Sequence, residues 1–284
     1  MSLIPFLEVN VTVRVKMKGM DYPVVLSRNY LPEIKEYGNG AEFAASTKKT
    51  RPYQSKMRGH TALYDYQMKR IDDIIDRYEL PTPPPVNLST LTSDYTAKDG
   101  EVLTGTLGAN VKISIADGAT VTLNGVNISG PDSESCKWAG INCEGNATLI
   151  LKGTNNVKGF YEDLPGIFIA KGKTLTIKGD GSLTAKNNGY AAGIGGAYQR
   201  DCGNIIIEGG TITANGGTYA AGIGGGYKAA CGNITIANGV TSVTATKGSG
   251  APHSIGNGEG GSCGTVTIGG NVGPISQSPY TYKP

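Results

Sequence analysis

A phrase of six residues, Ala-Ala-Gly-Ile-Gly-Gly, stands at residues 191–196 and again 29 positions later, at residues 220–225. Cys-Gly-Asn and a short β-branched run follow each copy, and a degenerate third copy extends over residues 254–265. A period of about 30 residues is typical of one supersecondary unit stacked on copies of itself, because so small a unit cannot bury its apolar side alone. Function is therefore expected on a ladder of equivalent positions or at the ends of the stack.

Short strands can be recognised inside the repeat. A triplet with apolar ends occurs six times, at spacings of 28, 26, 30, 29 and 32 residues: Val121-Thr122-Leu123, Leu149-Ile150-Leu151, Leu175-Thr176-Ile177, Ile205-Ile206-Ile207, Ile234-Thr235-Ile236 and Val266-Thr267-Ile268. The first and third residues of the triplet lie on the same side of a strand and the middle residue on the other, which is typical of a half-buried strand. A second short strand precedes the triplet, and a third follows it.

Three short strands per repeat, separated by glycine-rich bends, predict a mostly β protein. We expect a right-handed, three-faced parallel β-helix over residues 90–284, in which strands pair from one repeat to the next. The 43 glycines among 284 residues fit this expectation, because sharp corners often require positive φ.

Residues 1–80 are predicted to form a separate, small α+β domain with a β-hairpin and a helix. Apolar and polar residues alternate over 7–17, residues 18–21 are expected to turn, and residues 23–26 are expected to return. Residues 62–79 carry a helical stripe that serves either core packing or oligomerisation: Tyr64, Met68, Ile71, Ile75 and Tyr78. Residues 81–89 contain a proline-rich run and are expected to be a stiff linker.

Charge is concentrated in that N-terminal part. The remainder of the chain has 13 basic and 13 acidic residues, so it offers no basic footprint, and we expect no nucleic-acid partner. Residues 43–64 contain no acidic residue, and this segment is either a solvated loop or a docking segment for a virion or cell-envelope protein. The candidate anchoring residues are Lys48, Lys49, Arg51, Lys56 and Arg58.

No stretch of 18 apolar residues is present, so no membrane-spanning helix is predicted. The first residues lack the pattern of a secretory signal. That start fits either a particle component exported without a leader or a chain trimmed at its beginning. The expected location is extracellular, on a virion or the bacterial cell surface.

Three of the five cysteines, Cys202, Cys231 and Cys263, occupy one repeat position and are expected to stack in a column about 4.8 Å apart. They are either buried thiols or a disulfide between neighbouring repeats. Cys136 and Cys143 are a second candidate pair. No Cys-x-x-Cys spacing or nearby histidine supports a metal site, so no metal or cofactor is predicted.

The run over residues 189–217 resembles the right-handed, pectate-lyase-like β-helix repeats of gut-bacterial surface proteins described as carbohydrate-binding or adhesin-like. The ending Gly-Pro-Ile-Ser-Gln-Ser-Pro-Tyr at residues 273–280 is similar to theirs. The resemblance covers roughly residues 90–284 and implies a non-enzymatic protein that displays a glycan-binding or adhesive surface. The ligand would be a glycan of a cell or mucus surface.

Two tyrosine pairs bracket the repeated phrase and are the main candidates for such binding. Tyr190 returns as Tyr219, and Tyr198 returns as Tyr227, so each pair is expected to form a short aromatic ladder. Tyrosine offers a flat apolar face for a sugar ring and a hydroxyl for its edge, although such ladders also seal a core. Trp138 and Tyr161 are further candidates.

Other functions remain alternatives. A polysaccharide lyase or hydrolase needs clustered carboxylates, but the acids here do not share a repeat position, so no catalytic residue is assigned: Asp117, Glu144, Asp180, Asp201 and Glu208. His253 is expected to be a polar turn residue. Outward threonine pairs beside the triplets suggest an ice-binding face, although threonine is common on strands. A virion fibre or spike would be a homotrimer, and a cell-surface adhesin is the alternative.

Overall fold

The computed structural model describes residues 12–17, 20–25 and 84–284. The chain divides into two units, Met1–Thr82 and Pro83–Pro284. In the first, β1 (Thr12–Met17) pairs antiparallel with β2 (Met20–Val25), which confirms the predicted hairpin. The return strand begins at Met20, earlier than predicted. The helix predicted over 62–79 and the basic residues of 48–58 lie outside the described residues.

The second unit is a parallel β-solenoid of about six turns, here called rungs, with three faces. Face 1 consists of β3 (Val86–Asn87), β5 (Val102–Thr106), β7 (Ala119–Ser129), β9 (Ala147–Lys152), β12 (Thr174–Gly179), β15 (Asn204–Ile207), β18 (Ile234–Ile236) and β21 (Val266–Ile268). Face 2 consists of the last residues of β5 and β7 with β10 (Thr154–Lys158), β13 (Ser182–Lys186), β16 (Thr211–Asn215) and β19 (Ser242–Thr246). Face 3 consists of β4 (Tyr95–Ala97), β6 (Ile113–Ile115), β8 (Ile141–Cys143), β11 (Ile167–Ile169), β14 (Ile194–Gly195), β17 (Ile223–Gly224) and β20 (Ile255–Gly256).

The N-terminal end of the solenoid includes part of the predicted linker. A 3-10 helix, Leu88–Thr90, follows β3, and its Leu88 is fully buried. Because β3 also pairs with β5, residues from Val86 onward belong to the solenoid. Among the residues that the structure describes, no helix is both long and apolar enough to cross a membrane.

Apolar side chains form columns inside the solenoid because every second residue of each strand points inward. Ile205 and Ile207 of β15 are fully buried, whereas Ile206 between them is half-buried on the outer side. Asn155 interrupts one apolar column with its polar atoms satisfied. Its Oδ1 accepts the Val126 N–H at 2.9 Å, and its Nδ2 donates to the Lys152 and Ser182 carbonyls at 3.0 Å each.

The pairing register corrects one alignment of the predicted triplets. Leu175 lies opposite Ala147 rather than Leu149, so the triplet 175–177 pairs with residues 147–149. The outer side of face 1 therefore carries a column of Thr120, Thr148, Thr176, Ile206, Thr235 and Thr267. Five of its six members are threonines, a more regular array than the triplet alignment predicted.

Each residue of the repeated Cys-Gly-Asn has a structural role. Cys202 and Cys231 belong to the buried core, and Cys231 is disulfide-bonded to Cys263, with Cα atoms 4.5 Å apart. A Cβ on Gly232 would collide with the side chain of Asn204. Asn204 Oδ1 accepts the N–H of Asn233 at 2.8 Å, so each asparagine satisfies a backbone donor of the next rung.

The cysteine column was predicted, and its last two members form the disulfide. Cys202 is a free buried thiol, and burial raises its pKa to about 12. Cys136 and Cys143, the second candidate pair, are both free and buried, so the alternative of a disulfide between them is wrong.

The C-terminal tail closes the last rung on all three faces. β22 (Asn271–Val272) pairs antiparallel with β21, Ile275 forms an antiparallel bridge with Ile255, and β23 (Tyr280–Tyr282) pairs antiparallel with β19. An open solenoid end would present unpaired backbone groups to other chains. The resemblance of residues 273–280 to a β-helix ending therefore corresponds to a structural cap.

Candidate functional site

The outer surface of face 3 is shaped by glycine. Its central outward position is occupied by Phe168, Gly195, Gly224 and Gly256 in successive rungs. Gly224 has φ of +127°, and a Cβ there would collide with the carbonyl oxygen of Gly256. Without side chains in the glycine rungs, the loops on either side of face 3 can approach each other.

Two stacks of loops meet over this surface and bring the four tyrosines together. Tyr190 and Tyr219 lie on the loops that enter face 3 from face 2, and Tyr198 and Tyr227 lie on the loops that leave it for face 1. The Tyr190 and Tyr219 rings are parallel within 5°, with centroids 6.2 Å apart, and the Tyr198 and Tyr227 rings are parallel within 13° at 5.4 Å. Both predicted ladders are present.

The two ladders are in fact one aromatic surface, which we call the tyrosine cluster (Tyr190, Tyr198, Tyr219 and Tyr227). Across the stacks, the Tyr219 and Tyr227 centroids are 4.7 Å apart and the Tyr190 and Tyr198 centroids 5.7 Å apart. Tyr219 is 36% exposed, and the other three are half-buried. The rings therefore pack against one another and remain partly exposed.

Backbone hydrogen bonds hold the two stacks in place. Tyr198 N–H donates to the Asp163 carbonyl, and Tyr227 N–H donates to the Tyr190 carbonyl, each at 2.9 Å. In the next rung Glu259 N–H donates to the Tyr219 carbonyl at 2.9 Å. The same connection thus recurs once per rung and fixes the register of the two loop stacks.

Two equivalent tight turns present Tyr198 and Tyr227. In each turn the next residue, Gln199 or Lys228, has positive φ, 53° and 55° respectively. The third copy places Gly260 there, with φ of +68°. A non-glycine residue in this region is strained.

The side chains that take this strained conformation touch the tyrosines. Gln199 Nε2 donates to the Tyr198 hydroxyl at 3.1 Å, and Lys228 Nζ lies 5.0 Å from the Tyr227 ring centroid. Each turn therefore supplies an aromatic ring together with a polar group beside it.

Acidic groups border the tyrosine cluster along the solenoid axis. Glu162 and Asp163 lie in the preceding rung, and Glu259 takes the place of a tyrosine in the following one. Burial, followed by the charge of Glu162, raises the pKa of Asp163. In the following rung Gly250 lies against the Tyr219 ring, so the aromatic ladder ends there.

A depression of about 460 Å³ opens next to the tyrosine cluster. It is lined by Phe168, Ala170, Lys171, Gln199, Arg200 and Asp201. Only residues 170–173 connect β11 to face 1, whereas residues 196–203 make the same connection one rung later. The depression lies at this change of loop length, where the longer loop rises above the shorter one.

Ion pairs fix the walls of the depression. Lys171 Nζ donates to Asp201 Oδ2 at 2.8 Å, and Asp201 Oδ1 accepts the Ala230 N–H at 2.8 Å. These two hydrogen bonds lower the pKa of Asp201, Lys171 having the larger effect. Arg200 lies 4.0 Å above the Phe168 ring and donates to both carboxylate oxygens of Glu144, at 3.0 and 3.1 Å.

The other predicted ligand residues lie outside the tyrosine cluster. Trp138 is half-buried against Phe160, with ring centroids 5.5 Å apart. Tyr161 donates to Glu134 at 3.4 Å, and Lys137 lies 5.3 Å from its ring centroid. No close ring pair in residues 84–284 connects either of them to the four tyrosines.

Sequence reasoning missed Lys171, Gln199 and Arg200 as site residues. None of these three residue types recurs at the equivalent position of a neighbouring rung, so the repeat does not mark them. A usable signal was the lengthening of the loop between the second strand and the triplet, which changes at these residues. Within residues 84–284, no three metal-ligating side chains of His, Cys, Asp or Glu come together.

Comparison of this chain with known protein families, with curated proteins and with solved structures finds no match. The parallel β-solenoid is therefore established by the structure itself.

Proposed function

We propose that this chain is a non-enzymatic, surface-displayed β-helix protein that binds glycans through the tyrosine cluster. The observation that carries the proposal is the packing of four partly exposed tyrosine rings, from two loop stacks, into one surface. Sugar rings have apolar faces that stack on aromatic rings, while tyrosine hydroxyls hydrogen-bond with sugar hydroxyls.

The backbone of the two turns supports binding over a purely structural role. Gln199 and Lys228 adopt a conformation that costs free energy, although the third copy of the turn shows that glycine fits there. Both side chains contact a tyrosine of the cluster. Strain retained beside a partly exposed aromatic surface is typical of a functional site.

The N-terminal domain completes the proposed organisation. Residues 1–80 would anchor the solenoid to a virion or a cell envelope, through Lys48, Lys49, Arg51, Lys56 and Arg58. A phage fibre or spike would be a homotrimer, and a bacterial cell-surface adhesin is the alternative. In both cases the solenoid would display its glycan site outside the cell.

The threonine column of face 1 supports a second candidate function, binding to ice. Thr120, Thr148, Thr176, Thr235 and Thr267 repeat in register on the outer side of one face. Ile206 interrupts the column, and charged Lys178 and Glu208 lie beside it on the same face. A polysaccharide lyase or hydrolase remains the enzymatic alternative, with Asp201 and Glu208 as the first residues to replace.

Replacement of two cluster residues tests the glycan proposal. Tyr198→Ala combined with Tyr227→Ala should reduce binding on a glycan array by more than about tenfold, because a few aromatic residues dominate recognition at such surfaces. The thermal midpoint should fall only moderately, because both side chains are partly exposed. The matched Tyr198→Phe and Tyr227→Phe variant keeps both rings and should retain most of the binding.

Opposite results would identify the other roles. A large loss of stability with binding retained would show that the rings only seal the core and would direct the search to Trp138 and Tyr161. Shaping of ice crystals without glycan binding would favour the threonine column. Release of reducing or unsaturated sugar ends from a polysaccharide panel would establish an enzyme.

A further inference from the structure

The depression next to the tyrosine cluster is continuous with it through one residue. Gln199 lines the depression and also donates a hydrogen bond to the Tyr198 hydroxyl at 3.1 Å. Arg200 and Asp201 follow it directly on the same loop and form the wall. If one sugar unit of a ligand lies on the tyrosine rings, the adjoining sugar unit would therefore contact the polar groups of the depression.

From this geometry we infer that the depression is a second subsite of the same glycan site, which takes a neutral oligosaccharide of at least two units. The inference rests on the proposed function. One sugar unit stacks on the tyrosine rings, and the adjoining unit enters the depression and hydrogen-bonds with Gln199, Lys171 and Asp201.

The hydrogen-bonding groups of the depression suit sugar hydroxyls. Asp201 supplies a carboxylate, Gln199 an amide, and Lys171 and Arg200 supply cationic donors. Phe168 and Ala170 also line the depression, although Phe168 is almost completely buried. The Asp201 carboxylate is oriented by two hydrogen bonds, from Lys171 and from the Ala230 N–H, before any ligand arrives, which lowers the entropy cost of binding.

The charge balance favours a neutral ligand over an acidic one. Both cations of the depression are already paired, Lys171 with Asp201 and Arg200 with Glu144. Glu162, Asp163 and Glu259 border the neighbouring tyrosine cluster. A uronic acid or sulfated sugar would have to break an ion pair and approach these carboxylates.

Single replacements separate the two subsites. Lys171→Gln replaces the cationic donor of the depression with a shorter, neutral amide. Gln199→Gly removes the shared amide and suits the left-handed backbone of that turn. Lys173→Gln is the matched control, because Lys173 pairs with Asp117 at 3.7 Å and does not line the depression.

The experiment is titration calorimetry with mono-, di- and trisaccharides from neutral series such as xylo-, manno- and cello-oligosaccharides. The protein should bind the di- and trisaccharide of the preferred series at least about tenfold more tightly than the monosaccharide. Lys171→Gln should lose that gain and keep the monosaccharide affinity, whereas Gln199→Gly should lose the gain and also weaken monosaccharide binding, because Gln199 contacts Tyr198 of the first subsite. Lys173→Gln should behave as the original protein. Circular dichroism would verify that all variants fold.

The outcomes distinguish the inference from the proposed function. Equal affinity for short and long saccharides, abolished by Tyr198→Ala with Tyr227→Ala, would overturn the second subsite and leave the glycan function standing. Preference for oligogalacturonides over every neutral series would overturn the neutral class. Absence of saccharide binding by the original protein would overturn the proposed function, and the second subsite with it.

Discussion

Strand β15 contains three consecutive isoleucines, which allow a sharp test of the solenoid. Ile205 and Ile207 are fully buried, and Ile206 between them is half-buried on the outer surface. Ile205→Ala removes three buried carbons, which costs roughly 2.4 kcal/mol in transfer free energy at about 0.8 kcal/mol per carbon. The remaining cavity raises the expected loss to about 3–4 kcal/mol. Ile206→Ala removes the same atoms from the outer surface and should cost less than about 1 kcal/mol.

Urea unfolding followed by circular dichroism measures the difference. Both variants replace an isoleucine of β15 with alanine, so they should share the same change in β-strand propensity. They differ only in whether the lost side chain faced the core or the outer surface. Stacked repeats can unfold in steps, so midpoints of the same transition must be compared. Equal losses for Ile205→Ala and Ile206→Ala, or a larger loss for Ile206→Ala, would refute the inward and outward assignment of β15.

Two further predictions concern the backbone and the charges. Gly224→Ala should lower the thermal midpoint much more than Gly270→Ala. Both glycines have positive φ, but only a methyl on Gly224 would collide with the next rung. Similar midpoints for the two variants would contradict this close approach. The pKa of Asp201 is lowered in the folded protein. Its ion pair should therefore stabilise the fold at pH values above the unfolded carboxyl pKa of about 3.9. This stabilisation should be lost as the pH falls through the lower pKa of the folded protein. Thermal midpoints of the original protein and Asp201→Asn should therefore converge on acidification below pH of about 4, and a gap that stays constant would contradict this role.

The local pattern determined the architecture of residues 84–284. The recurring apolar alternation identified the strands, and the nearly constant spacing placed equivalent strands side by side, because a solenoid pairs each rung with the next. It also placed Tyr190 with Tyr219 and Tyr198 with Tyr227, since ladders follow directly from the repeat. Cys231 and Cys263 came together for the same reason.

Register was decided by tertiary pairing where the pattern was ambiguous. Ala147, Leu149 and Leu151 all point inward, so a strand aligned with any of them keeps its apolar face in the core. A shift by two residues leaves the alternation intact. Only pairing with β12 shows that Ala147 lies opposite Leu175, which in turn makes the threonine column regular.

The candidate site also depended on contacts that do not repeat. The sequence contained the two tyrosine ladders, but their meeting requires long loops on both sides of face 3 and glycine between them. The depression arises where a short loop is followed by a longer one, and its ion pairs connect residues 30 and 56 positions apart. Repetition in the sequence determined which residues stack along the solenoid axis, whereas contacts between the loop stacks were decided by the three-dimensional course of the chain around it.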